Sequence, residues 1–161
     1  MPRYLAVELS RTESRVLLAR AGSGGVAVEE AFCTPWNSDE TSSSDAAVQD
    51  AALIAALADR GLARLPVIGI VGRSDVELRL LQLPPAPNEE LPDMVRFQAG
   101  QDFPNFEPDA ALDFLPLEGA VDAPRRVLAA ALKSPVAERF MRICEGANLQ
   151  LERLILHPAA A

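Results

Sequence analysis

The sequence predicts an α/β fold. A three-stranded antiparallel ribbon leads into alternating helices and strands, and a strand–helix–strand–strand cassette interrupts them. Three observations carry this. A glycine-rich loop, Gly22-Ser23-Gly24-Gly25, joins two strand-like segments near the start of the chain. A continuous β-branched run, Pro66-Val67-Ile68-Gly69-Ile70-Val71, is bounded by proline and glycine. Pro84, Pro85 and Pro87 then close a strand in a block whose pattern differs from what flanks it.

Tyr4 to Leu9 reads as a first strand and Arg15 to Arg20 as a second, with Ser10 to Ser14 as the polar turn between them. Glycine supplies the positive φ that the next hairpin loop needs. Val26 to Phe32 follows as an edge strand ending near Pro35. After a polar loop from Asn37 to Ser44, a helix is expected. Ser44 serves as its N-cap, Asp45 meets the positive end of its dipole, and Gly61 stops it. Val48, Ala51, Ala52, Leu53, Ala55, Ala56 and Leu57 give it a broad apolar face. The β-branched run from Pro66 to Val71 predicts a central strand covered on both faces.

Asp75 to Leu83 is the cassette's first strand, with Glu77, Arg79, Leu81 and Leu83 on one face and Val76, Leu78, Leu80 and Gln82 on the other. Asn88 is placed to cap a helix over 89–101, where Pro92 is tolerated in the first turn. Leu91, Val95 and Gln98 share its stripe with Met94 beside them, and Phe97 falls off it. Strands follow at 111–117 and 126–133, joined by a turn at Glu118-Gly119-Ala120-Val121-Asp122. Ser134-Pro135 opens a further helix running to about Glu145, with Val136, Phe140, Met141 and Cys144 on one face. Leu151 to Leu156 is the last strand, before His157-Pro158.

Composition sets the outer bounds. The 161 residues suit one domain, or two small lobes sharing a core. Hydrophobic residues at 49% and charged residues at 24% support a buried core. A formal net charge of −8 argues against nucleic acid, which needs a cationic face, and against anionic lipid. No apolar run approaches the length that spans a bilayer, and the first residues show no signal peptide. Cys33 and Cys144 are expected as reduced, buried thiols. The single histidine, His157, has no clustered partners of the kind a zinc site requires. Gly22-Ser23-Gly24-Gly25 does not match a phosphate-loop pattern; Glu29-Glu30 and Glu89-Glu90 are carboxylate pairs, the latter in a helix's first turn, where the dipole favours acids without any catalytic role. Trp36 is either a lid on the core edge or an exposed contact.

With 75–133 removed, the order is β-β-β-α-β-α-β, with right-handed crossovers to parallel strands. This is the order of the ribonuclease-H-like unit that actin-like ATPases use twice. Residues 1–74 and 134–161 would form the actin-like subdomain, and 75–133 the inserted one. Particular residues carry a narrower likeness. Val71-Gly72-Arg73-Ser74-Asp75-Val76-Glu77-Leu78-Arg79-Leu80-Leu81-Gln82-Leu83-Pro84 resembles a strand of PilM-type pilus assembly proteins. These are actin-like proteins of type IV pilus machines, related in fold to FtsA. Glu89-Glu90-Leu91-Pro92-Asp93-Met94-Val95-Arg96-Phe97-Gln98-Ala99 resembles the helix that follows it in the family. The segments 127–133, 134–149 and Leu154-Ile155-Leu156-His157-Pro158 resemble the family's next strand, helix and strand. The likeness spans nearly the whole chain and only the first half of a family member, so a fragment is expected.

The resemblance implies several site residues. In actin-like proteins the first hairpin cradles phosphates. Matched by position, Glu8 stands for the metal-coordinating acid, Ser10 for the first glycine, Thr12 within the turn, and Arg15 for a following lysine. Ser10 brings a Cβ where backbone approaches, and Arg11 and Glu13 are bulky, so a solvated turn and a residual phosphate site both remain open. No cofactor is expected for this chain, since ATP and Mg would need the second lobe of a full-length protein. The resemblance further implies a PilN-like partner, an inner-membrane protein whose short N-terminal cytoplasmic peptide docks between the core and the inserted subdomain. Leu81 and Phe97 are the expected pocket residues, with packing under the 102–108 loop the other reading of Phe97. The function implied is a cytoplasmic scaffold, peripheral to the inner membrane through its partner, in a type IV pilus or related type II secretion platform. The reading leaves room for an oligomer. The alternative is a lobe of a sugar-kinase or acetate-kinase-like ATP-dependent enzyme.

Overall fold

A computed structural model describes residues 2–36, 43–104, 106–107, 110–117 and 123–157, without the side chains of 43–45. In chain order the elements are β1 (Arg3–Leu9), β2 (Glu13–Gly22), β3 (Gly25–Pro35), α1 (Ser43–Asp59), β4 (Pro66–Val71), β5 (Val76–Leu83), α2 (Leu91–Asp102), β6 (Leu112–Pro116), β7 (Arg125–Leu132), α3 (Ser134–Gly146) and β8 (Gln150–Leu156). The chain divides into two compact units, Met1–Arg73 with Glu138–Ala161, and Ser74–Ala137. The expected Ser44 cap with Asp45, the loop at 37–42, the turn at 118–122 and Pro158 lie outside the described residues or side chains.

The first unit is built on a five-stranded sheet in the order β3-β2-β1-β4-β8. β1, β2 and β3 form the antiparallel ribbon, β4 runs parallel to β1, and β8 runs parallel to β4. This is the ribonuclease-H-like arrangement. Because side chains alternate along a strand, Leu5, Val7, Val16, Leu18, Val67 and Val71 all turn to one face and are buried. Leu53 and Leu57 of α1, and Phe140, Ile143 and Cys144 of α3, complete that core. Gly69 of β4 lets the Phe140 ring approach, since a Cβ there would sit 2.9 Å from it. α1 stops at Gly61, whose φ of +66° suits glycine. The Leu62 N–H donates to Leu57 O at 3.0 Å, and the Gly61 N–H donates to Ala58 O at 2.9 Å, which satisfies two terminal carbonyls.

Three expectations change here. The β4 run is covered on one face only among the described residues: Val67, Gly69 and Val71 are buried, while Ile68 and Ile70 are half-buried. α1 packs through a narrow stripe, so Val48 is exposed. Met141 is likewise exposed, and Ile143 takes the buried position on α3. A small-residue helix looks apolar all round in composition, yet only the side chains aimed at the sheet are removed from water.

The second unit holds a three-stranded antiparallel sheet, in the order β5-β7-β6. Its core joins Leu81, Leu83, Val127, Ala129 and Ala131 of the sheet to Leu91, Val95 and Ala99 of α2 and to Phe103. The expected Asn88 cap is not formed. The Asn88 side-chain oxygen instead accepts from Arg125 Nη2 at 2.7 Å. Arg125 is buried, and a buried guanidinium needs acceptors more than an exposed helix end does. On the sheet face away from α2, Leu80 pairs with Leu128, and Leu128 with Leu115.

Candidate functional site

The turn between β1 and β2 carries Glu8, Ser10, Thr12 and Arg15 together. Ser10 folds its own hydroxyl into the turn. Its Oγ accepts from the backbone N–H groups of Glu13, at 3.1 Å, and Thr12, at 3.3 Å, and donates to Glu13 O at 2.8 Å. Those N–H groups are the donors that a phosphate-binding turn would offer an anion. Arg15 is committed as well. Its Nε lies 2.7 Å from Glu13 and its Nη1 3.4 Å from Glu8. The Glu13 hydrogen bond and charge, then the Glu8 charge, hold the guanidinium above its ordinary pKa. A turn whose donors are already taken, with two carboxylates around one cation, does not fit a phosphate group. Among the described residues, no cluster of His, Cys, Asp and Glu is arranged to hold a metal ion.

Glu8, Arg15 and Cys33 lie in one row across β1, β2 and β3. They line a shallow cavity of about 390 Å³ with Ala6, Leu17 and Ile70. Cys33 is therefore exposed rather than buried, while Cys144 is buried as expected, and burial pushes its thiol pKa up. Trp36 is half-buried, with the Arg139 guanidinium 5.5 Å from its ring centre. Arg139 is itself fixed by Asp50 at 2.7 Å and Gln49 at 3.0 Å. The backbone N–H of His157 donates to Val71 O at 2.8 Å, and the residue is exposed.

The two expected pocket residues separate. Leu81 is 1% exposed and belongs to the core of the second unit, so its side chain is not offered to a ligand. Phe97 is 71% exposed on α2. It borders a shallow groove with Asp93, Arg96, Gly100, Gln101 and Phe106.

Another cavity, of about 430 Å³, lies within the second unit. Phe103, Phe106, Leu132 and Val136 give it apolar walls, and Glu77, Glu107 and Lys133 give it a charged lining. Lys133 Nζ donates to Ser74 O at 2.6 Å, and the Ser134 hydroxyl donates to Glu107. Those bonds fix Lys133 and Glu107, and Glu77 is paired with Arg79 at 2.9 Å. The arrangement suits an apolar side chain of a longer ligand. Sequence reading missed this site. Its only trace was the Phe103-Pro104 step after α2 and the Ser134-Pro135 step before α3, which looked like punctuation.

No family model matches the chain, and no curated protein matches it. Solved structures do. Over 96% of this chain and 47% of the other, it is similar to a chain of the PilM–PilN type IV pilus biogenesis complex, with a TM-score of 0.76 and 20% identity. Over 96% of this chain and 56% of the other, it is similar to the cytoplasmic domain of EpsL, an inner membrane component of the type II secretion system of Vibrio cholerae, with a TM-score of 0.67 and 13% identity. The fold is an actin-like lobe with an inserted subdomain. The chain spans about half the length of the solved chains it matches. At these identities the likeness carries the fold alone. No helix among the described residues is long and apolar enough to cross a membrane.

Proposed function

We propose that this chain is a protein-binding module, the first lobe of a PilM-type cytoplasmic scaffold in a type IV pilus or type II secretion platform. Its partner is an inner-membrane protein that presents a short cytoplasmic peptide. The observation that carries this reading is the cavity lined by Phe103, Phe106, Leu132 and Val136 beside Glu77 and Glu107. The fold likeness to a chain solved in a PilM–PilN complex supports it. An extended peptide gains affinity from main-chain hydrogen bonds and specificity from pockets for alternate side chains. A kinase lobe of the same superfold would require anion donors in the β1–β2 turn, and Ser10 holds two of them.

The test is fluorescence anisotropy with labelled synthetic peptides of the cytoplasmic N-terminal tails of single-helix inner-membrane proteins encoded in the same genome. Binding is expected, with Val136→Trp filling the cavity and weakening it at least about tenfold, or about 1.4 kcal/mol. Phe97→Ala measures whether the α2 groove contributes. Absence of binding, or binding indifferent to Val136→Trp in a variant that melts like the parent, overturns the cavity as the docking site.

A further inference from the structure

Among the described residues, the face of the second unit's sheet turned away from α2 is exposed along its middle, while Val76 and Leu132 at one end of it are buried. Leu80, Leu128 and Leu115 stand directly opposite one another across β5, β7 and β6. They are 49%, 36% and 61% exposed. Directly opposed residues share a face, and so do residues two apart on a strand. On one side of this leucine rung lies the row of Gln82 and Arg126. On the other lies the row of Leu78, Ala130 and Asp113. The rung is thus flanked by a cation on one side and an acid on the other. Arg126 and Asp113 are both exposed, and neither forms an ion pair among the described residues.

We infer that this face binds a second copy of the chain, sheet against sheet. A two-fold axis laid along the rung turns one sheet face-down on the other and exchanges the rows above and below it. The row of Arg126 then faces the row that holds the partner's Asp113, and the reverse contact repeats it. The leucines meet leucines. One patch supplies both halves, so the assembly closes at two copies rather than growing. Sheets that stack this way lie about 10 Å apart with strands nearly aligned, a gap that an arginine side chain can bridge from the rim. Three strands about 4.8 Å apart and three rows about 6.8 Å apart give a patch of roughly 300 Å² per copy. A patch of that size belongs to transient interfaces, so the pair dissociates on dilution.

Sedimentation velocity on the 161-residue chain, from about 10 μM to about 1 mM, covers the range in which such small interfaces assemble. A concentration-dependent dimer is expected. Leu115→Lys weakens it at least about tenfold, since it buries a charge in the rung. Arg126→Asp and Asp113→Arg each weaken it, and the two together restore it, because the rows exchange sign. These surface variants are checked by thermal melting, and the charge exchange remains decisive even if Leu115→Lys folds poorly. A chain that stays monomeric throughout overturns the inference, as does a dimer that the double exchange fails to rescue. None of these residues lines the cavity of the second unit, so the outcome is independent of peptide binding.

Discussion

Ser10 Oγ lies 3.1 Å from the backbone nitrogen of Glu13 and 2.8 Å from its carbonyl oxygen, so one hydroxyl closes the β1–β2 turn from both sides. This is the turn at which the resemblance to actin-like proteins implied a phosphate seat. Here the backbone donors are spent internally, and the nearby cation is shared between Glu8 and Glu13. The chain is therefore expected to release no phosphate from ATP above a no-protein blank, and ATP is expected to leave its melting temperature unchanged. Ser10→Gly should cost about 1 kcal/mol in urea unfolding, the usual net worth of such a hydrogen bond. Steady turnover that disappears in Glu8→Ala would refute this.

Gly69 is the point at which α3 reaches the sheet. A side chain there would collide with Leu154 and with the Phe140 ring. Gly69→Val should destabilise the first unit by about 1–3 kcal/mol, the cost of overpacking a filled core. Urea unfolding followed by far-UV circular dichroism measures it, and a loss under about 0.5 kcal/mol, typical of surface changes, would show that the contact yields.

Glu29 is held by Arg3 at 2.8 Å and by Arg20. Burial alone would raise its pKa, but hydrogen bonds from Arg3 and Arg20 outweigh it and hold the carboxyl below its ordinary value. With the folded pKa depressed, the stabilisation is present above the unfolded value and is lost as pH falls through the folded one. Glu29→Gln should therefore flatten the acid limb of stability against pH and leave the alkaline limb unchanged. Parallel acid limbs in parent and variant would dismiss the linkage.

The order of elements was legible because each boundary has a local cause. Gly61 ends α1, prolines follow β5, and Ser134-Pro135 opens α3. Faces were harder to read. Alternation along β5 separates Leu80 from Leu81 but does not say which side α2 will cover. Leu81 thus read as a pocket residue and sits in the core, while Leu80 is exposed. Cys33 and Asn88 failed for a related reason. Their surroundings come from β2 and from Arg125, residues distant in sequence, and composition assigns such partners no position. The cavity of the second unit draws its walls from β5, β7, the chain after α2 and the start of α3, so no window of sequence contains it.

β3, eleven residues long, is an edge strand of the five-stranded sheet, and Arg60 reaches it, pairing with Glu30 and lying over the Phe32 ring. Its pairing with β2 skips Glu29, since Leu18 meets Glu30 and Ala19 meets Val28. That extra residue bends the margin and disrupts the even spacing of its outward hydrogen-bonding groups. A foreign strand arriving there would find two short, mismatched stretches instead of a long template. The irregularity at Glu29 thus makes this margin a poorer template for an incoming strand than a regular strand of the same length.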